Sequence, residues 1–206
     1  MTQRTPYEWR IGRDDMSTHG QDAATIAGGP HVSCRTIAVD HIRIDSARSF
    51  DEVRAALDCL PRFDDRIRVL LHFGEAVRAR AELEKLQGDA GLTLFSVAPH
   101  GDWLQIQNGA RKALQYVIGN VLISTQMTQH EPAAGLYAPL RIMLYENAAG
   151  TATLEYDRPS TLFGQYGDSR VMVVARDLDL KIHDLLTRAA TPIQTCGDLA
   201  HGWECS

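Results

Sequence analysis

The spacing of hydrophobic residues changes from alternating to helical and back along this chain. Residues 36–45 (TIAVDHIRID) are rich in β-branched side chains and partly alternate, with Asp40, Ile42 and Ile44 on one side and Val39, His41 and Arg43 on the other; this predicts one strand. From residue 49 the spacing turns helical. Phe50, Val53, Leu57 and Leu60 share a face, Ser49 and Glu52 stand where a capping box needs them, and Pro61 ends the segment. Ile67, Leu70 and Leu71 lead to Gly74, and Ala76, Ala79, Leu83 and Leu86 lead to Gly88, which predicts a helical hairpin over 63–88.

Beyond residue 92 alternation returns. Leu92–Val97, Trp103–Gln107, Lys112–Ile118, Leu140–Tyr145 and Thr151–Tyr156 predict five strands, with Asn108-Gly109 as a tight hairpin between the second and third. A short helix over Val121–Gln129 precedes the fourth, and the stretch LFGQYGD after Pro159 reads as a loop. The last helix, from about Ser169 to Ala190, aligns Val171, Val174, Leu178, Ile182 and Leu185 and should cover one face of the sheet. Strands bunched between helices, with no strict alternation of the two, indicate an α+β fold with an antiparallel sheet. Residues 1–35 have no hydrophobic period and read as an extension, 36–190 as a single domain and 191–206 as a tail.

The 206 residues are 44% hydrophobic, which supports a self-sufficient core and excludes collagen, coiled coil and wholesale disorder. Acidic residues outnumber Lys plus Arg by 26 to 21, so nucleic acid is not an expected partner. No apolar run approaches the roughly 18 residues of a membrane span, and the charged first twenty residues lack the core of a secretory signal. Four cysteines (Cys34, Cys59, Cys196, Cys205) without a C-x-x-C pair point to a reducing cytoplasm.

Candidate chemistry is sparse. Alternation sets Arg141, Met143 and Tyr145 opposite Leu140, Ile142 and Leu144. Pairing with 151–156 brings Arg141 near Thr153 or Glu155, with Tyr145 as a phenolic donor: either a polar pocket wall or an ordinary cross-strand ion pair. His100, in Pro99-His100-Gly101-Asp102 at a strand end, suits acid–base work if Asp102 fixes its tautomer, or is a solvated turn histidine; no nucleophile motif accompanies it. Met127 and His130 share a helix face, but two ligands with only His100 to add do not make a metal site. Cys196, His201 and Cys205 depart from zinc spacings, and that tail reads as disordered. Gly164 and Gly167 lead to a helix start where Asp168, as N-cap, supplies the negative charge an anion would bring. No metal or cofactor is expected.

The order of His100, Gly119-Asn120, Gly135-Leu136, Pro139-Leu140, a strand ending at Glu146, and Tyr156-Asp157 with Pro159 resembles the family known as domain of unknown function 302. The resemblance covers residues 92–189 and extends more weakly to 36–60. It implies a compact fold in the β-α-β(4)-α arrangement of TATA-binding-protein-like domains, commonly a homodimer, and it implies no reaction. This chain departs from the pattern in the helical insertion at 63–88, the Tyr137 segment, Arg158 within the Asp-Pro close and both terminal extensions.

Three functional readings follow. The first is a non-catalytic module that binds a small molecule or a partner through Tyr116, Tyr137, Arg141, Tyr145 and Glu155. The second is an enzyme with His100 as general acid or base and Arg141 holding an anionic substrate. The third is a homodimeric assembly protein built on the last helix or an open strand edge.

Overall fold

A computed structural model describes residues 31–192. The chain divides into two units, residues 1–36 and 37–206, and every helix and strand below belongs to the second. The expectations for residues 1–30 and for the Cys196–Cys205 tail lie outside the described residues.

In chain order the elements are β1 (His41–Asp45), α1 (Phe50–Asp58), α2 (Arg66–His72), α3 (Ala76–Lys85), β2 (Thr93–Ala98), α4 (His100–Trp103), β3 (Ala113–Gly119), α5 (Val121–Thr128), β4 (Leu140–Glu146), β5 (Ala152–Asp157), α6 (Pro159–Phe163) and α7 (Ser169–Ala190). The strands form one sheet in the order β1-β5-β4-β3-β2, antiparallel throughout. The fold is therefore α+β, as the spacing predicts.

Local sequence explains most boundaries. At α1 the Ser49 hydroxyl accepts from the Glu52 N–H, and the Glu52 carboxylate accepts from the Ser49 N–H at 2.8 Å, so the capping box closes in both directions. The helix then buries Phe50, Val53 and Leu57. Asp168 caps α7 by accepting from the Arg170 N–H, and α7 buries Val171, Ala175, Leu178, Ile182, Leu185 and Leu186 along one stripe. Because side chains alternate across a strand, Tyr116, Ile118, Ile142, Leu144, Leu154 and Tyr156 point to the sheet face that α1 and α7 cover, and with those helices they form the main core. A smaller cluster of Ile67, Ala79 and Leu83 holds the α2–α3 hairpin, with Val121 and Leu122 of α5 packed against it.

Three segments differ from the alternation and turn readings. The first strand is limited to 41–45, since its ladder with β5 begins at the His41–Asp157 pair. Residues 103–107 are not a strand: α4 runs into a 3-10 turn at Leu104–Gln107. Both sides of β3 are already taken by β2 and β4, so no slot is left for another strand, and Trp103, Leu104 and Ile106 are all exposed. Asn108 adopts the left-handed conformation at φ 54°, and the Gly109 N–H donates to the Leu104 carbonyl at 2.9 Å, so Asn-Gly stops a helical turn instead of making a hairpin. The expected loop after Pro159 is helical. Pro159 sits at the first helical positions, Asp179 of α7 accepts from the Ser160 N–H at 2.8 Å, and Phe163 is buried in the core.

Gly101 fixes where α4 lies. A Cβ at this position would stand 2.0 Å from the Arg111 carbonyl oxygen and 2.9 Å from the Ala113 nitrogen, both backbone atoms that cannot swing aside. Gly101→Ala is expected to destabilise the protein by about 2 kcal/mol, as overpacking does. Gly135→Ala, which would meet only a Thr128 methyl at 3.8 Å, should change stability by less than about 0.5 kcal/mol. Urea unfolding of both variants measures the difference, and equal stabilities would contradict the packing described.

Candidate functional site

The other face of the sheet carries a charged network. The β1–β5 register sets His41 opposite Asp157, Arg43 opposite Glu155 and Asp45 opposite Thr153; the β4–β5 register adds Met143 beside Glu155 and Tyr145 beside Thr153. Glu155 stands at the centre. One of its oxygens accepts from the Tyr145 hydroxyl at 2.6 Å and lies 3.5 Å from an Arg43 guanidinium nitrogen; the other is 3.2 Å from His41 Nε2. His41 Nδ1 in turn lies 2.8 Å from Asp157 Oδ1. Arg43 donates from Nε and Nη2 to Asp45, and Asp45 Oδ1 also accepts from the buried Thr153 hydroxyl at 2.7 Å.

Each titration follows from these contacts. The His41 pKa is raised, first by its hydrogen bond to Asp157 and then by that to Glu155, because an imidazolium can donate from both nitrogens at once. The Glu155 carboxyl is held below its ordinary value, chiefly by the Tyr145 hydroxyl, and the Tyr145 phenol is correspondingly raised by Glu155. His41 is 57% exposed, so water screens this network; it orients side chains more than it stabilises the fold.

Beside Glu155 the sheet opens into a cleft of about 350 Å³, lined by Arg111, Ala113, Met143, Tyr145, Glu146 and Glu155. Arg111 precedes β3, and the pairing of Ala113 with Tyr145 sets it at the rim. It makes no ion pair with any of the described residues. Its neighbour Lys112 bridges Asp51 at 2.7 Å and Glu146 at 3.4 Å.

Of the five expected ligand contacts, the structure brings Tyr145 and Glu155 together and leaves the other three elsewhere. Arg141 shares their face but pairs with Val117, two residues along β4 from Met143, so the arginine that meets Glu155 is Arg43 and the expected Arg141 contact with Thr153 or Glu155 is not made. Tyr116 points into the core, where it is fully buried; its hydroxyl donates to Asp58 at 3.0 Å, and burial raises its pKa above the ordinary range. Tyr137 lies in the 3-10 turn Pro132–Tyr137, edge-on to Phe163 with 6.1 Å between ring centroids.

His100 begins α4, with its ring centroid 4.6 Å from that of Trp103. The adjacent Gly101 packs on Ala113, whereas Arg141 pairs with Val117, four residues further along β3, a separation of about 13 Å at the usual strand rise. Neither His100 nor Arg141 lines the cleft, so the acid–base pair is not assembled. Met127 is fully buried in the core while His130 is exposed, and the two do not form a site. Sequence reasoning missed Arg43, Arg111 and the role of His41. The alternation of 36–45 marks His41 and Arg43 as one face, but their partners lie more than a hundred residues away.

A family model described as Domain of unknown function DUF302 matches residues 69–189, more than half of the sequence. The chain belongs to the DUF302 family. A crystal structure of an uncharacterized conserved DUF302 protein from Bacillus stearothermophilus is similar over 72% of this chain and 97% of that one, at 14% identity and a TM-score of 0.53, a likeness of fold alone. No curated protein matches this chain. The matched span contains Arg111, Tyr145 and Glu155 but not His41 or Arg43, so the DUF302 match takes in the cleft and leaves out β1, which completes the charged network.

His41 gives a direct check. Its folded pKa is raised, so the stability this network contributes is fully present below the unfolded value near 6.5 and is lost as pH rises through the folded value. Histidine ring resonances followed by NMR should place the His41 midpoint above 6.5, with Asp157→Asn moving it back down. A wild-type midpoint at or below 6.5 contradicts the network.

Proposed function

We propose that this DUF302 chain is a non-catalytic binding module that takes a small anionic molecule, a carboxylate or a phosphate, in the cleft on the open sheet face. The observation that carries the reading is Arg111. It stands exposed at the rim without an ion-pair partner among the described residues, while the two carboxylates of the cleft are engaged, Glu155 by Tyr145, His41 and Arg43 and Glu146 by Lys112. A guanidinium presents a planar fork of donors suited to a carboxylate or phosphate. Met143 supplies apolar surface, and a volume of about 350 Å³ falls within the usual range of small-molecule sites.

Binding without turnover fits the chemistry present. His41, the histidine nearest the cleft's Glu155 among the described residues, is more than half exposed, is occupied by two carboxylates and does not line the cleft. General acid–base work needs a proton carrier in direct or one-water contact with the reacting group. A homodimer, which the sequence resemblance implies, would need a surface other than the outer edge of β1, whose His41, Arg43 and Asp45 are the charged pattern that discourages edge-to-edge pairing.

Thermal-shift titrations of the full chain with acetate, succinate, inorganic phosphate and phosphoserine test the proposal. At least one should raise Tm saturably, and Arg111→Gln, which keeps most of the stem and removes the charge, should weaken that ligand at least tenfold. No stabilisation by any of the four, or equal affinity in Arg111→Gln, contradicts it.

A further inference from the structure

A second cavity lies at the end of the sheet beside α5 and shares no lining residue with the cleft. Its volume is about 180 Å³. Its wall is formed by Phe95, Ile123, Met127, Pro139, Leu140 and Leu178, brought together from β2, α5, the segment before β4, β4 and α7.

The local structure holds this space open. A register shift between Leu94 and Ser96 leaves Phe95 as an extra residue in β2, stacked on Phe63 with 4.7 Å between centroids, so the ring borders the cavity and is anchored outside it. Gly119 lets Pro139 approach closely: a Cβ at 119 would stand 2.8 Å from the Pro139 Cβ. Ile123, Met127, Leu140 and Leu178 are buried, so the side chains that would have to collapse to fill the space are already held in the packed interior.

Two polar side chains reach the cavity. The Asn120 amide is consumed as the α5 cap, its oxygen accepting from the Leu122 and Ile123 N–H groups and its nitrogen donating to the Gly91 carbonyl at 2.8 Å. Ser124 remains. It lines the space, and its hydroxyl has no hydrogen-bond partner among the described residues.

We propose that this cavity binds an uncharged single-ring aromatic molecule with one hydrogen-bonding group, the phenol class. The size suits one ring, since a cavity of about 150 Å³ takes up benzene, and the opening to solvent gives the ligand a way in. Phe95 and Met127 offer an aromatic ring and a polarisable sulfur to a ring held between them. The unpartnered hydroxyl of Ser124 matches a ligand with one polar group, and among the described residues no charged side chain lines the space to repay the desolvation of an ionised one.

The test uses the full chain with methyl labels and three probes: phenol, toluene and benzoate. Phenol should shift the Ile123, Met127 and Leu178 methyl resonances saturably and leave Met143 unmoved, with benzoate at least tenfold weaker. Ser124→Ala should weaken phenol about 2- to 10-fold, the loss of one hydrogen bond, and leave toluene unchanged. Ser124→Leu, which fills the space, should abolish binding of both. No saturable shift in the unmodified protein overturns the proposal whatever the variants do, as do shifts centred on Met143 or benzoate binding as tightly as phenol. A Ser124→Ala protein that holds phenol as tightly as before, or loses phenol and toluene equally, overturns the role of the hydroxyl and with it the phenol class.

Discussion

The register of β5 between β1 and β4 is the constraint on which the rest of the molecule depends. A strand at this place in the sheet has a neighbour on both sides, and its side chains divide by parity: Leu154 and Tyr156 enter the core, while Thr153, Glu155 and Asp157 face the open side. A slip of one residue would exchange the two sets, leaving carboxylates under α7 and leucine in water. The hydrophobic core and the charged network are thus two faces of one pairing. The energy that fixes the register comes from burial of the apolar side, and the polar side inherits its geometry.

That inheritance explains how a solvated network can be well ordered. Exposed ion pairs contribute little to stability, and His41 and Arg43 would not by themselves hold a strand in place. Their side chains meet Glu155 because Ile42 and Ile44, on the reverse of β1, pack against the main core. The fully buried Thr153 hydroxyl then ties Asp45 to the sheet. The cleft is bordered by this arrangement on one side and by Arg111, placed where Gly101 lets α4 rest against the start of β3, on the other.

How much of this was legible in the sequence follows from the range of the interactions. The capping box at Ser49 and Glu52 and the full extent of α7 are written in local spacing, and the structure has both. That Tyr145 and Glu155 share one sheet face was readable because β4 and β5 are adjacent in sequence and joined by a short turn, whereas the register that gives Glu155 to Tyr145 and not to Arg141 was not. Trp103–Gln107 alternates as a strand would, but both flanks of β3 are taken by β2 and β4, a tertiary fact that period alone does not carry. The helical turn of α6 is fixed by Asp179 from the far side of a loop, and Arg43 and His41 acquire meaning only through partners in β5. Arg111 belongs to no periodic pattern at all. The fold class was therefore visible in sequence, and the half of the site that crosses from β1 to β5 was not.

Backbone nuclear Overhauser contacts across the β1–β5 ladder read this register residue by residue. Expected are cross-strand contacts that pair Arg43 with Glu155, Ile42 with Tyr156 and Ile44 with Leu154. Contacts pairing Arg43 with Leu154 or with Tyr156 would place the charged residues on the wrong face and contradict it.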